Sequence, residues 1–376
     1  MPVGRGAALS GALRRVLSSR FALCVLIAAL GAPSALGAQR LFGEVVRADS
    51  VTPAVRVLVE WRVGRGPVQR TSTDDRGRFV IAVPDTGRLA LRVLRPGFRP
   101  QVVPPRPSGR RPADSLRIVL RDEVVQLAAM RVEEDRVCGA RGEAVAWQLW
   151  EQARIALQSV VLAERDTSLR VEAVEYEADL LPDTTPMIRP ATIRQVGRER
   201  VQSRAHYDSL FRFGYIRRVA DTSSYFSPTL AVITDDRFAE RYCFTRVFDD
   251  AHPEWVGVAF EPARRPGPGI ADVVGTFWLD IEGLLLREVT YTYVNAPLHH
   301  RIEGIGGELH FAQLTTGHWI LRDWDVRMPK LNPAARRERL AIGRWSKRRT
   351  VYRVVRGGQV LFLDESAARL GQGAVP

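Results

Sequence analysis

Outside its first 38 residues, this 376-residue chain has no stretch apolar enough to cross a membrane as a helix, since a span takes about 20 consecutive apolar residues. The mature chain is therefore expected to be soluble unless it docks on a partner. Cysteine is scarce, at three. Cys24 has Ala22 and Leu23 before it, without the small residue that directly precedes a lipidated cysteine, which argues against a lipoprotein. Catalytic arrangements are also lacking. Gly304, Gly306 and Gly307 do not follow a strand and open a nucleotide-binding helix, and Ser203 with His206 has no orienting acid or nucleophile turn. The carboxylate pairs Asp235–Asp236 and Asp249–Asp250 are neighbours of the kind that mark polar turns. No catalytic residue, cofactor or resident metal is expected, and the chain reads as a non-enzyme.

What is present begins with an export signal. Arg5, Arg14, Arg15 and Arg20 precede the apolar run Phe21–Leu30, and the small residues from Pro33 to Ala38 suit cleavage after Gly37 or Ala38. Export implies a periplasmic or outer-membrane-associated protein, with an extracellular one as the alternative. Cys138 and Cys243 would then sit where pairing is chemically permitted, either as a disulfide or as two separate buried thiols. The net charge of +13 comes from arginines scattered through the chain. Export argues against a nucleic-acid partner and leaves peripheral contact with an anionic envelope surface as an option. A hydrophobic share of 45% fits a folded chain, long enough for two modest domains.

Residues 41–120 read as a run of short strands, with a turn at Asp74–Gly77 whose short carboxylates can bond nearby amides. Beyond that turn Phe79 and Ile81 point one way and Val80 and Ala82 the other. An all-β unit this short is expected to close as a sandwich of two small sheets. The order of Gly43, the strand Val55–Val59, the segment Thr73–Pro84 with Asp75, Gly77, Arg78 and Phe79, and then Pro96, Gly97 and Phe98 resembles the carboxypeptidase regulatory-like family, a transthyretin-like seven-stranded sandwich. The resemblance implies an accessory or interaction module and carries no peptidase activity. Relative to that pattern, Val102–Pro112 reads as a proline- and arginine-rich insertion before the last strand. Residues 121–143 read as an edge strand and linker.

The second unit, 144–330, opens with an amphipathic helix at Ala144–Leu162. Ala146, Leu149, Trp150, Ala153, Leu157 and Val161 form its apolar stripe, with Glu151 and Arg154 on the wet side. Val273–Pro329 reads as four antiparallel strands. Phe277, Leu279, Leu285, Val289, Tyr291 and Tyr293 lie in runs rich in aromatic and β-branched residues, Glu288, Thr290 and Thr292 lie on the other face of the longest run, and Pro329 is expected to end the last strand. A helix followed by successive strands is similar to the incomplete β-barrel of the lipoprotein-carrier fold, which implies a curved antiparallel sheet packed on the helix. Residues 331–376 read as a basic segment and a terminal hairpin turning at Gly357 and Gly358.

The fold class expected is therefore mainly β, a sandwich followed by a curved sheet or incomplete barrel around a helix. The function expected is a noncatalytic envelope binding or structural protein, with a protein, glycan or apolar molecule as partner. A lipid or lipoprotein carrier is the alternative, requiring a cavity beneath the helix in which Trp278, Trp319 and Trp324 are candidate pocket aromatics. A metal-dependent hydrolase would need His310, His318, Asp323 or Asp325 to converge, with His299 and His300 pointing to opposite faces of any strand they share.

Overall fold

A computed structural model describes residues 38–84, 86–107, 115–121, 136–139, 144–166, 169, 171–180, 186–188, 192–194, 207–219, 222–296, 304–330 and 352–363. The expected signal, the linker strand within 124–132, His299 and His300, Ser203 and His206, and the basic run 332–349 lie outside these residues. The fold is mainly β. No helix among the described residues is long and apolar enough to cross a membrane.

The first seven strands are β1 (Ala38–Val46), β2 (Leu58–Val63), β3 (Gln69–Ser72), β4 (Arg78–Pro84), β5 (Arg88–Leu94), β6 (Gln101–Pro107) and β7 (Leu116–Val119). They form a three-stranded sheet ordered β4-β1-β7 and a four-stranded sheet ordered β3-β2-β5-β6. β1 pairs β4 antiparallel and β7 parallel. In β4 burial alternates as its sequence predicts, with Phe79, Ile81 and Val83 inside and Val80 and Ala82 outside. Their partners include Val45, Val59, Trp61, Leu91, Val93 and Ile118. Gly43 is required because a side chain there would collide with the Phe79 ring. Asp74 Oδ1 accepts from the amides of Arg76 and Arg78 at 2.9 and 2.8 Å, and Gly77 takes positive φ to close the turn. The stretch expected to be an insertion begins instead with β6. Prolines are tolerated there because β6 is an edge strand, whose outward positions need no amide donor.

The second sheet has eleven strands. They are β8 (Val137–Cys138), β9 (Val171–Leu180), β10 (Pro186–Ile188), β11 (Thr192–Arg194), β14 (Tyr242–Phe248), β15 (Trp255–Pro262), β16 (Asp272–Asp280), β17 (Leu286–Val294), β18 (Gly306–Gln313), β19 (Trp319–Lys330) and β20 (Tyr352–Leu363). A separate ribbon holds β12 (Ile216–Val219) and β13 (Thr222–Tyr225). The large sheet runs β10-β9-β20-β19-β18-β17-β16-β15-β14-β8, with β11 also on β9. Two expectations fail here. β20 passes straight through Gly357 and Gly358 as one strand, because β19 and β9 pair it on both sides. β19 continues through Pro329, which lies opposite Arg353; past Arg327 the strand has β20 as its one described neighbour, so the missing donor is tolerated.

Helix α1 (Val145–Ala163) lies across the inner face of this sheet. Short helices α2 (Tyr207–Phe213), α3 (Leu230–Ile233) and α4 (Asp236–Arg241) complete the unit. Asp235 caps α4 by accepting from the Arg237 amide. Trp150 is fully buried, stacked on Phe244 at 4.7 Å between ring centroids and on Phe238 at 5.5 Å, with Phe277 tilted against it at 5.0 Å.

Cys138 and Cys243 sit opposite each other on β8 and β14 and form a disulfide across a sequence separation of 105. It ties the short edge strand ahead of α1 to β14, the next strand of the sheet. Reduction, or Cys138→Ser, is expected to lower stability by about 2–4 kcal/mol. Thermal unfolding with and without reductant checks this, with the serine variant insensitive to reductant.

Candidate functional site

Among the described residues, two places gather charged and polar side chains. The first is the junction between the sandwich and α1. The expected wet side of α1 is not wet: Arg154 and Gln152 are buried because the sandwich covers that flank. Glu60, buried on β2, accepts from Arg92 at 2.5 Å and from Arg70 at 2.9 Å, and it lies 3.6 Å from Arg154. Arg154 also pairs with Glu151 at 2.7 Å. Burial alone would raise the Glu60 carboxyl, but the guanidiniums of Arg154, Arg92 and Arg70 outweigh it and hold the group below the usual carboxylate range.

Around this pair the contacts continue. Gln152 accepts from the Gly97 amide at 2.8 Å and donates to the Phe98 carbonyl at 3.0 Å. Ile155 packs on Leu58 and Leu94. Arg56 donates to Asp166 at 2.7 Å, and Asp166 in turn lies 3.1 Å from His318 Nε2. Gly97 sits so close to the Gly283 carbonyl that a side chain would not fit. Beside these contacts a cleft of about 640 Å³ opens between the two units, with Trp61, Trp147, Arg62, Glu151 and Glu240 among its walls. Four arginines, four carboxylates and three tryptophans contribute to its lining.

The second place is the outer face of the large sheet, on the side away from α1. Side chains alternate along a strand, and the register Glu288↔His310↔Asp323 and Thr290↔Glu308↔Asp325 brings these groups into adjacent rows. A bulge at Arg322 makes this possible. The pairing moves from Phe311↔Leu321 to His310↔Asp323, so Trp319 and Leu321 face the core while Asp323, Asp325 and Arg327 face outward. Without the extra residue Asp323 would share the buried face of Leu321.

His310 Nδ1 lies 2.5 Å from Asp323 Oδ1, and its Nε2 lies 3.7 Å from Glu288 Oε2. Arg322 donates to Asp323 at 2.6 Å. Arg327 donates to Asp325 at 3.2 Å and to Glu308 Oε1. The hydrogen bond to Asp323 pushes the imidazole above its ordinary range against the effect of burial. Burial raises Glu288 and Asp325 above theirs. One donor atom from each of Glu288, Glu308 and His310 lies within 4.8 Å of the others.

Several sequence candidates separate in space. His318 is buried near Asp166 and Thr316, so it does not join His310. Trp278 is on the outer face opposite Glu288, its ring over Gly257, whereas Trp319 is buried in the core and Trp324 packs against that core. The three indoles therefore line no common pocket. Asp235 binds Arg237, Asp236 lies near Arg70, and Asp249 binds His252, in keeping with turn and surface roles. Glu288 and Glu308 escaped the sequence reading of metal ligands, although period-two alternation places Glu308 on the same face as His310.

No known family profile matches the chain, and no curated protein matches it. Among solved structures it is similar to fervidolysin from Fervidobacterium pennivorans, a keratinolytic enzyme related to subtilisin. The likeness has 10% identity and a TM-score of 0.21 and covers 72% of this chain and 31% of that one. A superposition at that level carries no argument about fold or activity.

Proposed function

We propose that the chain is an exported, noncatalytic binding or structural protein of the cell envelope, in which the sandwich and the helix-bearing sheet act as one rigid body and a partner seats in the cleft between them. The observation that supports this reading is the buried ion cluster in which Glu60 of the sandwich meets Arg154 of α1. Accessory domains joined by a loose tether have no use for such a contact, and domain motion is the default where the interface is small and polar. The resemblance of residues 41–120 to regulatory-like sandwiches supports an interaction role for that unit. A lipid carrier would need open volume beneath α1, and the Trp150 stack with Phe238, Phe244 and Phe277 occupies that space.

The test is isolation of the mature protein from its native envelope with chemical crosslinking, followed by identification of what copurifies. A stoichiometric protein or glycan partner is expected. Its capture should fall at least about tenfold with Arg62→Glu or Glu240→Lys, exposed residues on the cleft wall, as a change of roughly 1.4 kcal/mol in binding gives. Stoichiometric lipid with no such partner would establish the carrier reading instead.

A further inference from the structure

The outer-face cluster lies apart from the cleft and is not explained by it. We propose that Glu288, Glu308 and His310 form a binding site for a divalent transition-series cation, of which zinc is the representative. The ligands come from positions i and i+2 of β18, Glu308 and His310, and from Glu288, the residue directly opposite His310 on β17. Side chains so placed share one face and converge without help from a loop. The chemistry of the set is one imidazole and two carboxylates, which suits zinc and its neighbours. Calcium and magnesium prefer all-oxygen shells.

Two details of the geometry favour an ion over a self-sufficient salt-bridge network. Asp323 is bonded to Nδ1 and so turns Nε2 toward Glu288, the arrangement in which a carboxylate orients a metal-binding histidine. Each of the other three carboxylates has a guanidinium: Asp323 has Arg322, and Asp325 and Glu308 share Arg327. Among the described residues Glu288 has no guanidinium in ion-pair contact, and the imidazole Nε2 faces it at 3.7 Å, beyond hydrogen-bonding distance. A divalent ion between Glu288, Glu308 and Nε2 would supply that missing charge. Arg327 engages Oε1 of Glu308, leaving Oε2 to ligate. Ligand atoms around tetrahedral zinc stand about 3.4 Å apart, from bonds near 2.1 Å. The present separations, all within 4.8 Å, are wider than that, and binding would draw the two glutamates inward.

The experiment uses the untagged mature chain, stripped with chelator and titrated calorimetrically with zinc chloride and, separately, calcium chloride. One zinc per chain is expected, with no saturable calcium binding. Glu288→Gln and His310→Gln should each weaken zinc at least about tenfold, and Asp323→Asn, acting through the histidine, about 10–100-fold. Circular dichroism of each variant confirms folding, and cobalt substituted for zinc should give a visible absorption band that disappears in Glu288→Gln. Absence of saturable zinc binding, zinc affinity unchanged in both ligand variants, or preference for calcium would each overturn the proposal.

Discussion

Trp150→Ala should destabilise the chain by about 3–5 kcal/mol, the range for deleting a buried aromatic and leaving a cavity. That is a large part of the net stability of an ordinary domain, about 5–15 kcal/mol. The indole is fully buried and touches rings from three separate elements: Phe238 of α4, Phe244 of β14 and Phe277 of β16. None of these can move far into the vacated space, since Phe238 is itself stacked on Tyr242 at 4.2 Å and Phe260 packs on Phe277 at 4.8 Å. Urea unfolding followed by circular dichroism measures the loss. A cost below about 1.5 kcal/mol, the level of a volume-conserving core change, would mean that the interior beneath α1 is loosely filled.

Glu60→Gln is expected to cost about 3–5 kcal/mol, because removing one member of a buried ion cluster strands the other. Arg154, the stranded partner, is 9% exposed and would keep Glu151, at 2.7 Å, as its ion-pair partner among the described residues. Replacing both residues by apolar ones of similar size, as in Glu60→Leu with Arg154→Met, should recover most of the loss, since the desolvation of two charges disappears with them. Recovery to within about 1 kcal/mol of wild type separates loss of the pair from damage to the sandwich. The same carboxylate sets a pH dependence. Its pKa is lower in the folded chain than in the unfolded one. The stabilisation is therefore complete above the ordinary glutamate range, near pH 4–5, and is lost as pH falls through the folded value. Acid titration of the wild type should weaken the junction, and Glu60→Gln should lack that component.

Much of the second unit is legible in its sequence. The four strands within Val273–Pro329 appear as β16 to β19, and the helix expected at Ala144–Leu162 is α1 with its ends moved by one residue. Periodicity reports one face at a time, which is why Glu151 and Arg154 read as solvated. Nothing local reveals that sandwich residues such as Phe98, 54 residues before Gln152, will cover that flank. Gly357 and Gly358 mislead for a related reason: two glycines suit a hairpin, and the pairing that keeps them extended comes from β9, far away in the chain. At the outer-face cluster the residue types were visible and their grouping was not. His310 and Asp323 stand out as chemistry-bearing groups, yet the bulge at Arg322 decides which face Asp323 takes. The sequence carries a trace of it, since the alternation of Trp319, Leu321 and Asp323 breaks where Trp324 becomes the core-facing residue.

Rigid coupling of the two units is the central claim, and differential scanning calorimetry of the chain with its disulfide intact tests it most directly. A single transition whose calorimetric and van't Hoff enthalpies agree is predicted for the wild type, because units joined through Glu60 and Arg154 unfold together. In Glu60→Gln the sandwich should melt first, as a separate transition. Two resolved transitions in the wild type at neutral pH would contradict the claim and describe two domains that merely sit side by side.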